Sequence, residues 1–569
     1  MTRYRNEYER WLQFADKATV EELKSLEGQE EQLEYRFSKN LDFGTAGLRG
    51  VMMAGLNAMN VYTVGAATKG LAEYIKDLGA ADRAGELGLH CKGMDQEEIA
   101  AKVAAEVLTA NGIKVYIFDE LRPTPMVSYG TRAFHCIAGI NITASHNPKE
   151  YNGYKVYFED GAQISPDQAT IISDYIRKTD VFSVERDNFD SEGRITVVGK
   201  DFDEQYLSKV LAQRVDSSVV PAMAKRLKVV YSPFHGAGYR LVPEILRCSG
   251  LEQLFIVQEQ ALPDGSFPTV KSPNPENPEG FSLGIELAKE VESDLIIATD
   301  PDCDRVGVMA KNAKGQFETI SGNCMGCLLL DYILSAHSEN GTMPPDPYAV
   351  KTIVSTDLAE EICRCFGVKL YEVLTGFKYI GEVIKRHEDS GKGSFILGFE
   401  ESYGYLKGTY ARDKDAVVAS MLITEMAAYY KEKDMTLIDA RTAMYEKYGY
   451  FAEKTENFQI AGLDALEKMQ NIMKNIRESH PKELGGMRIV RIGDYLTGIA
   501  EDPRSERIEP TGLPSSNVLS FTTDAGCKVL VRPSGTEPKI KIYLLCRGTD
   551  AAEANARLAA CAETVRSWI

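Results

Sequence analysis

Asp300, Asp302 and Asp304 stand at alternate positions in DLIIATDPDCDR, at the end of an apolar run. That spacing lets three hard carboxylate oxygens converge on one Mg2+ or Mn2+, and Mg2+ keeps room for a phosphate oxygen. An EF-hand loop needs Gly at its sixth position and Glu at its twelfth, where this chain has Arg305 and Lys311. Two other readings stand beside the cation site: a solvated acidic turn, and a carboxylate nucleophile at Asp300. Ser145 is the second chemical group. In NITASHNPKEYNGYKVY it follows the apolar segment CIAGINITA and precedes Pro148, Asn152 and Gly153, which are expected to break any regular element. Its hydroxyl is either a nucleophile on a stiff turn at the carboxyl end of a strand or the partner of its own backbone in an ST-turn.

Arg532, Ser534, Gly535 and Thr536 lie together in VRPSGTEPKIKIY. Gly lets backbone N–H groups approach an anion, the hydroxyls donate, and Arg offers a fork that fits phosphate. The G-x-x-x-x-G-K-[ST] pattern of a nucleotide P-loop is absent. GFEESYGY places Glu400 and Ser402 at the end of another apolar run, where they can read sugar hydroxyls, and RDKDA follows with Arg412 and Lys414.

The elements that must hold these groups alternate between strand and helix. Buried strands are expected at 113–120, 136–144, 228–234, 294–300, 368–375 and 394–400, and a helix at 416–433. Thr19 to Glu22 reads as a capping box opening a charged helix. Such alternation implies parallel sheets covered by helices. After Tyr450 the order changes to a helix over 464–480, strands over 488–497, 518–533 and 539–546, and a last helix over 551–569, the pattern of an α+β domain with an antiparallel sheet. Boundaries are expected near 205, 322 and 450, giving domains 1–205, 206–322, 323–450 and 451–569.

The chain has 569 residues, 44% of them hydrophobic and 26% charged, with a net charge of −18. That length exceeds one core, at ~100–200 residues per domain. The acidic balance argues against nucleic acid but leaves room for a small anion held by a few focused Arg and Lys. No apolar run reaches the roughly 18 residues that span a bilayer, and the charged amino terminus lacks an export signal. Eleven scattered cysteines suit a reducing cytoplasm, and Cys324 and Cys327 read as helix packing.

Ser145 in TASHNPKEYNGYK, then DPDCDR, GFEESYG and RPSGTEP, in that order, resemble the α-D-phosphohexomutase superfamily, most closely its phosphoglucomutases in the branch that includes phosphopentomutase-like enzymes. FGTAGLRG, PTP, SPFHGAG and PNPENPEG extend the resemblance over essentially the whole chain. It implies an α/β protein of four domains around a central cleft: three related α/β domains with mixed sheets and a C-terminal α+β domain. Domains in chain order then carry the phosphoserine, the metal, the sugar loop and the phosphate loop. Carried over by motif, Ser145 is the phosphoserine, and Asp300, Asp302 and Asp304 hold one Mg2+ per chain with a phosphoserine oxygen. Arg305 follows toward the substrate. Thr375 and Gly376 in LTGFKYIG orient the sugar, Glu400 and Ser402 read its hydroxyls, and Arg532, Ser534, Gly535 and Thr536 grip the phosphate that is not reacting. Lys155 is the expected acid/base, its pKa lowered by cationic surroundings and burial. Arg49 lies near it, Lys414 donates on the other half-reaction, and His146 supports the serine loop.

The implied activity is interconversion of glucose 1-phosphate and glucose 6-phosphate through glucose 1,6-bisphosphate, by a cytoplasmic monomer or weak homodimer whose partners are sugar phosphates. Phosphopentomutase, phosphomannomutase and glucose-1,6-bisphosphate synthase are alternatives within the family, and a catalytically dead sugar-phosphate sensor is one outside it. Two departures stand out. EESYG replaces the EMSGH of bacterial phosphomannomutases, removing a histidine, and GLHCKGM over 88–94 replaces a strand end that carries Asp and Arg in relatives.

Overall fold

Every residue of the Ala138–Ile142 strand, which leads to Ser145, is buried. The strand runs parallel to Gly85–Leu89 on one side and antiparallel to Tyr151–Phe158 on the other. The computed structural model describes residues 2–44, 47–80, 85–89, 94–189, 193–460, 465–505, 507–534 and 539–569, with backbone alone for 85–89 and 94–98. Gly535, Thr536 and most of the atypical 88–94 segment therefore lie outside the described residues. Two compact units emerge: residues 1–322 with 380–398 and 402–437, and residues 323–379 with 399–401 and 438–569.

The first unit holds two mixed sheets. One orders its strands Leu48–Val51, Tyr151–Phe158, Ala138–Ile142, Gly85–Leu89, Val115–Phe118 and Ile195–Val198. The other runs Phe317–Ile320, Val306–Lys311, Leu295–Thr299, Lys228–Ser232 and Gln253–Ile256. In each, the strand that delivers a chemical loop is a buried apolar run with a parallel neighbour on one side and an antiparallel one on the other. The mixed sheets implied by the resemblance are present, and they arise because short returns after Ser145 and Asp304 send the chain straight back beside the strand it left.

Residues 151–158 are themselves a correction, because Asn152 and Gly153 sit inside a strand instead of ending one. A Cβ at position 153 would lie 2.3 Å from the Thr143 carbonyl, so glycine is there for close backbone approach. Near the amino terminus the helix Lys17–Lys24 is capped by Asp16, whose carboxylate accepts from the Thr19 N–H, and not by Thr19 itself.

The second unit pairs Pro347–Thr352 with Lys369–Val373 in parallel and contains an eight-stranded sheet. That sheet is antiparallel and includes Lys528–Pro533 and Lys539–Gly548, with helix Ala551–Arg566 packed into the same core. The expected 518–533 strand is two strands, Leu519–Thr523 and Lys528–Pro533, separated by a turn at Gly526 (φ 73°). Tyr450–Gln459, which the sequence reading took only as a boundary, is a ten-residue strand of this sheet. Cys324 and Cys327 are buried on helix Gly322–Glu339, as expected of packing residues. Strand Ser394–Glu400 passes from the first unit into the second. Among the described residues no helix is long and apolar enough to cross a membrane.

Candidate active site

Ser145 is 4% exposed and adopts φ 53°, a left-handed backbone that L-residues avoid. Such a conformation costs on the order of 1–3 kcal/mol and persists only where surroundings over-determine it. Here the Thr143 hydroxyl accepts from the Ser145 N–H at 2.8 Å, so the side chain two residues back satisfies the turn. The serine hydroxyl is thereby released from its own backbone. It donates to Asp300 Oδ2 at 3.0 Å and lies 3.1 Å from His146 Nδ1.

Asp300, Asp302 and Asp304 follow strand Leu295–Thr299 on a turn that has Cys303 at φ 53°. One ligand oxygen from each lies within 4.8 Å of the others, and all three side chains are buried. The backbone N–H groups of Asp304 and Arg305 both donate to Asp300 Oδ1, at 3.1 and 3.0 Å. Lys155, on strand Tyr151–Phe158 and opposite Asn141, places its ammonium 2.8 Å from Asp302 Oδ2 and 3.6 Å from Asp304 Oδ2. Lys414 reaches Asp304 Oδ2 at 3.2 Å and Asp413 Oδ1 at 3.0 Å. Asp413 accepts in turn from the Tyr157 hydroxyl at 2.7 Å and from Gln163 at 2.9 Å.

Four buried carboxylates thus face two buried ammonium groups, an excess of two negative charges. Burial, and then the repulsion of neighbouring carboxylates, push Asp300 well above the usual carboxylate range, and Asp304 also rises. Asp304 Oδ1 is buried without a hydrogen bond among the described residues. An excess of two charges on hard oxygens, one of them without a hydrogen bond and 3.9 Å from the Arg305 guanidinium, fits a divalent cation such as Mg2+. Lysine behaves differently from the sequence expectation. Burial lowers its pKa, but Asp302, Asp304 and Asp413 outweigh burial, and Lys155 is held above the ordinary lysine value.

Around this cluster, Arg305 pairs with Glu276 at 2.9 Å, and Arg49 lies 3.4 Å from the Asn147 side-chain oxygen. Arg49 sits on strand Leu48–Val51, opposite Gly153. Arg412, next to Asp413, is wholly buried and pairs with Glu388, away from the carboxylates. Ser402 is half-buried in the same unit. Sequence reasoning missed Asp413, Thr143, Tyr157, Gln163 and Glu276. Asp413 lies in RDKDA, Thr143 and Tyr157 in NITASHNPKEYNGYKVY and Glu276 in PNPENPEG, stretches in which other residues drew the attention.

The second unit holds the remaining candidates. Thr375 and Gly376 (φ 122°) follow strand Lys369–Val373, and Thr375 Oγ1 is buried with no hydrogen-bond partner among the described residues. Glu400 is buried at the end of its strand. Arg532 and Ser534 are half-buried at the end of Lys528–Pro533, where the Ser534 N–H donates to the Lys539 carbonyl at 2.8 Å.

Comparison with known proteins settles the family. Sequence profiles of the phosphoglucomutase/phosphomannomutase α/β/α domains I, II and III match residues 40–181, 204–315 and 321–448. The chain belongs to the phosphoglucomutase/phosphomannomutase family. It is 35% identical over 537 residues to a phosphoglucomutase of Staphylococcus epidermidis, covering 94% of this chain and 95% of the relative. A phosphoglucomutase of Staphylococcus aureus is 34% identical over 546 residues, covering 95% and 96%. Two solved structures share the fold. One is the open form of the Paramecium phosphoprotein parafusin, described as a phosphoglucomutase (TM-score 0.67, 18% identity, 93% of this chain and 94% of that one). The other is a phosphoglucomutase/phosphomannomutase family protein of Burkholderia thailandensis (TM-score 0.65, 17% identity, 92% and 97%). Three α/β/α domains of this family followed by a C-terminal α+β region make up the chain.

Proposed function

We propose that this phosphoglucomutase/phosphomannomutase family member is an α-phosphoglucomutase, an isomerase that interconverts glucose 1-phosphate and glucose 6-phosphate through a phosphoserine at Ser145 and a glucose 1,6-bisphosphate intermediate. The observation that carries the reading is the Ser145 hydroxyl, freed from its own backbone and 3.0 Å from a carboxylate of a buried three-Asp cluster flanked by two lysines. Phosphoryl transfer depends mostly on positioning and on neutralising the phosphoryl oxygens. Asp300, Asp302 and Asp304 would hold one Mg2+, which supplies that neutralisation from one side. Lys155 and Lys414, both buried beside Asp304, supply fixed positive charge from the protein. Lys155, held protonated by the aspartates beside it, acts chiefly as a charge stabiliser. Thr143 and His146 aim the serine oxygen.

In the second unit, Arg532, Ser534, Gly535 and Thr536 hold the phosphate that is not reacting. Thr375, Gly376 and Glu400 are assigned to orienting the sugar, and Ser402 and Arg305 carry the same assignment. The domain division 1–205, 206–322, 323–450 and 451–569 is supported by profile matches beginning at 204 and 321 and by the strand that starts at Tyr450. Ten described cysteines without disulfides support a cytoplasmic setting, and we read the chain as a monomer or weak homodimer.

The test is relative kcat/KM on glucose, mannose and ribose 1-phosphates with bisphosphate and Mg2+ present, coupled to intact-mass analysis of the active protein. Glucose 1-phosphate is the preferred substrate, and one phosphate resides on Ser145. An acyl phosphate on Asp300, or a ribose preference, overturns the assignment.

A further inference from the structure

Three cysteine sulfurs meet in the core of the second unit, with a methionine sulfur beside one of them, in a cluster that takes no part in the chemistry above. Cys527 precedes strand Lys528–Pro533, Cys546 lies on strand Lys539–Gly548, and Cys561 lies on helix Ala551–Arg566. Met487 opens strand Met487–Asp494. The three Sγ atoms lie within 4.8 Å of one another, and all three cysteines are 0% exposed. Cys546 Sγ is 3.8 Å from Cys561 Sγ, and Cys527 Sγ is 3.7 Å from Met487 Sδ.

A buried cysteine usually packs as a small hydrophobe. Here three separate segments bring their thiols together, and a fourth sets the Met487 sulfur beside Cys527. Zn–S bonds of about 2.3 Å in a tetrahedral site set ligand sulfurs about 3.8 Å apart. The Cys546–Cys561 and Cys527–Met487 separations both match that edge length, and the three cysteine sulfurs lie close enough together to share one ion. Phe521, Val529 and Leu544 belong to the same apolar core, with Met487 partly buried at its edge. A closed, all-sulfur set is the chemistry of a structural site for a soft d10 ion, and hard cations such as Mg2+ are excluded by ligand type.

We propose that Cys527, Cys546 and Cys561, with Met487 as fourth ligand, bind one thiophilic metal ion, Zn2+ or Cu+, that ties the last helix to the sheet. Each thiol gives its proton to solvent as its metal–sulfur bond forms, and no electron changes hands. Hydrogen bonds from Cys546 and Cys561, together with the charge of Arg557, pull the Cys527 thiol down. The same contacts, with burial, push Cys546 and Cys561 up. Because every ligand thiol must lose its proton to bind, metal affinity rises with pH.

The full-length chain is purified from zinc- or copper-supplemented cells, dialysed against EDTA to remove Mg2+, and its metal content measured. About one zinc or copper per chain is expected to survive. Cobalt chloride added to metal-free protein is expected to give a thiolate-to-metal charge-transfer band, with proton release. Cys561→Ser abolishes retention and band. Should that variant not fold, Met487→Leu, which preserves volume, is expected to speed metal loss roughly ten-fold. Two results overturn the proposal. One is wild-type protein with no retained metal and no cobalt band. The other is a mass two daltons low from a Cys546–Cys561 disulfide.

Discussion

The two units treat their polar groups in opposite ways. In the first, Ser145, the three aspartates, Lys155, Lys414 and Asp413 are buried and bonded to one another before any ligand arrives. In the second, Arg532 and Ser534 stand half-buried at a strand end, and Thr375 Oγ1 is buried with no partner among the described residues. On the proposed function, the groups assigned to phosphoryl transfer are the ones bonded to one another, whereas those assigned to ligand binding are less enclosed at Arg532 and Ser534. Preorganisation in the first unit concentrates charge repulsion there, and openness in the second lowers the affinity each contact can add.

Replacing Ser145 by Ala is the harshest test of this contrast. Turnover is expected to fall to background, and intact mass to show no phosphate, while thermal stability holds, since alanine removes one hydroxyl. Asp302→Asn comes next. It keeps the loop's shape but removes one charge from the cluster, so activity collapses and cannot be restored by Mg2+ titration after EDTA. Full activity would show that the triplet is only an acidic turn. Lys155→Met leaves Asp302 without its ammonium, and breaking one side of a buried pair costs about 3–5 kcal/mol. A denaturant midpoint measured with and without Mg2+ should show the larger loss without it.

In the second unit, Arg532→Ala is expected to lower kcat/KM roughly ten- to a hundred-fold, because a charge-assisted contact contributes about 1.5–3 kcal/mol. Glucose 1-phosphate, glucose 6-phosphate and the bisphosphate should suffer alike, with stability unchanged. Loss confined to one substrate would mean that the sugar does not reuse this site after turning over. The mildest change is in acid. Lys351 is buried, 2.9 Å from Asp357 and 2.6 Å from Glu372, with Lys528 near both carboxylates. Burial raises those carboxylates, but the lysines outweigh it and hold both below their ordinary values. Lowered carboxylates add stability that is present above about pH 4 and lost as pH falls through their folded pKa. Lys351→Met should therefore flatten the decline of the melting temperature below about pH 4.

Much of the first unit was legible because its loops follow long apolar strands. The runs ending at Thr299 and Ile142 announce themselves by composition, and the strand at 394–400 has the bounds the sequence suggested. The strand bearing Lys155 was not legible, because Asn152 and Gly153 are the residues that elsewhere stop a strand, and only the proximity of the Thr143 carbonyl explains the glycine. Asp413 was passed over for the same kind of reason. Its importance comes from Tyr157 and Gln163, which lie some 250 residues away in the chain. The lysine's pKa was misjudged because the sequence shows cationic neighbours, while the fold supplies aspartates.

The left-handed backbone at Ser145 also limits which side chains could replace it as the proposed nucleophile. A β-branched side chain is a genuine outlier at φ 53°, so threonine, the nearest chemical relative of serine, is disfavoured there before any question of reactivity arises. Asparagine and aspartate tolerate that conformation, but the amide is no nucleophile, and the carboxylate would add a further negative charge beside Asp300. Cysteine fits the backbone yet changes the transferred bond from P–O to P–S. Serine is held by the turn as much as by its chemistry, and descendants of this chain can lose the hydroxyl far more easily than they can exchange it.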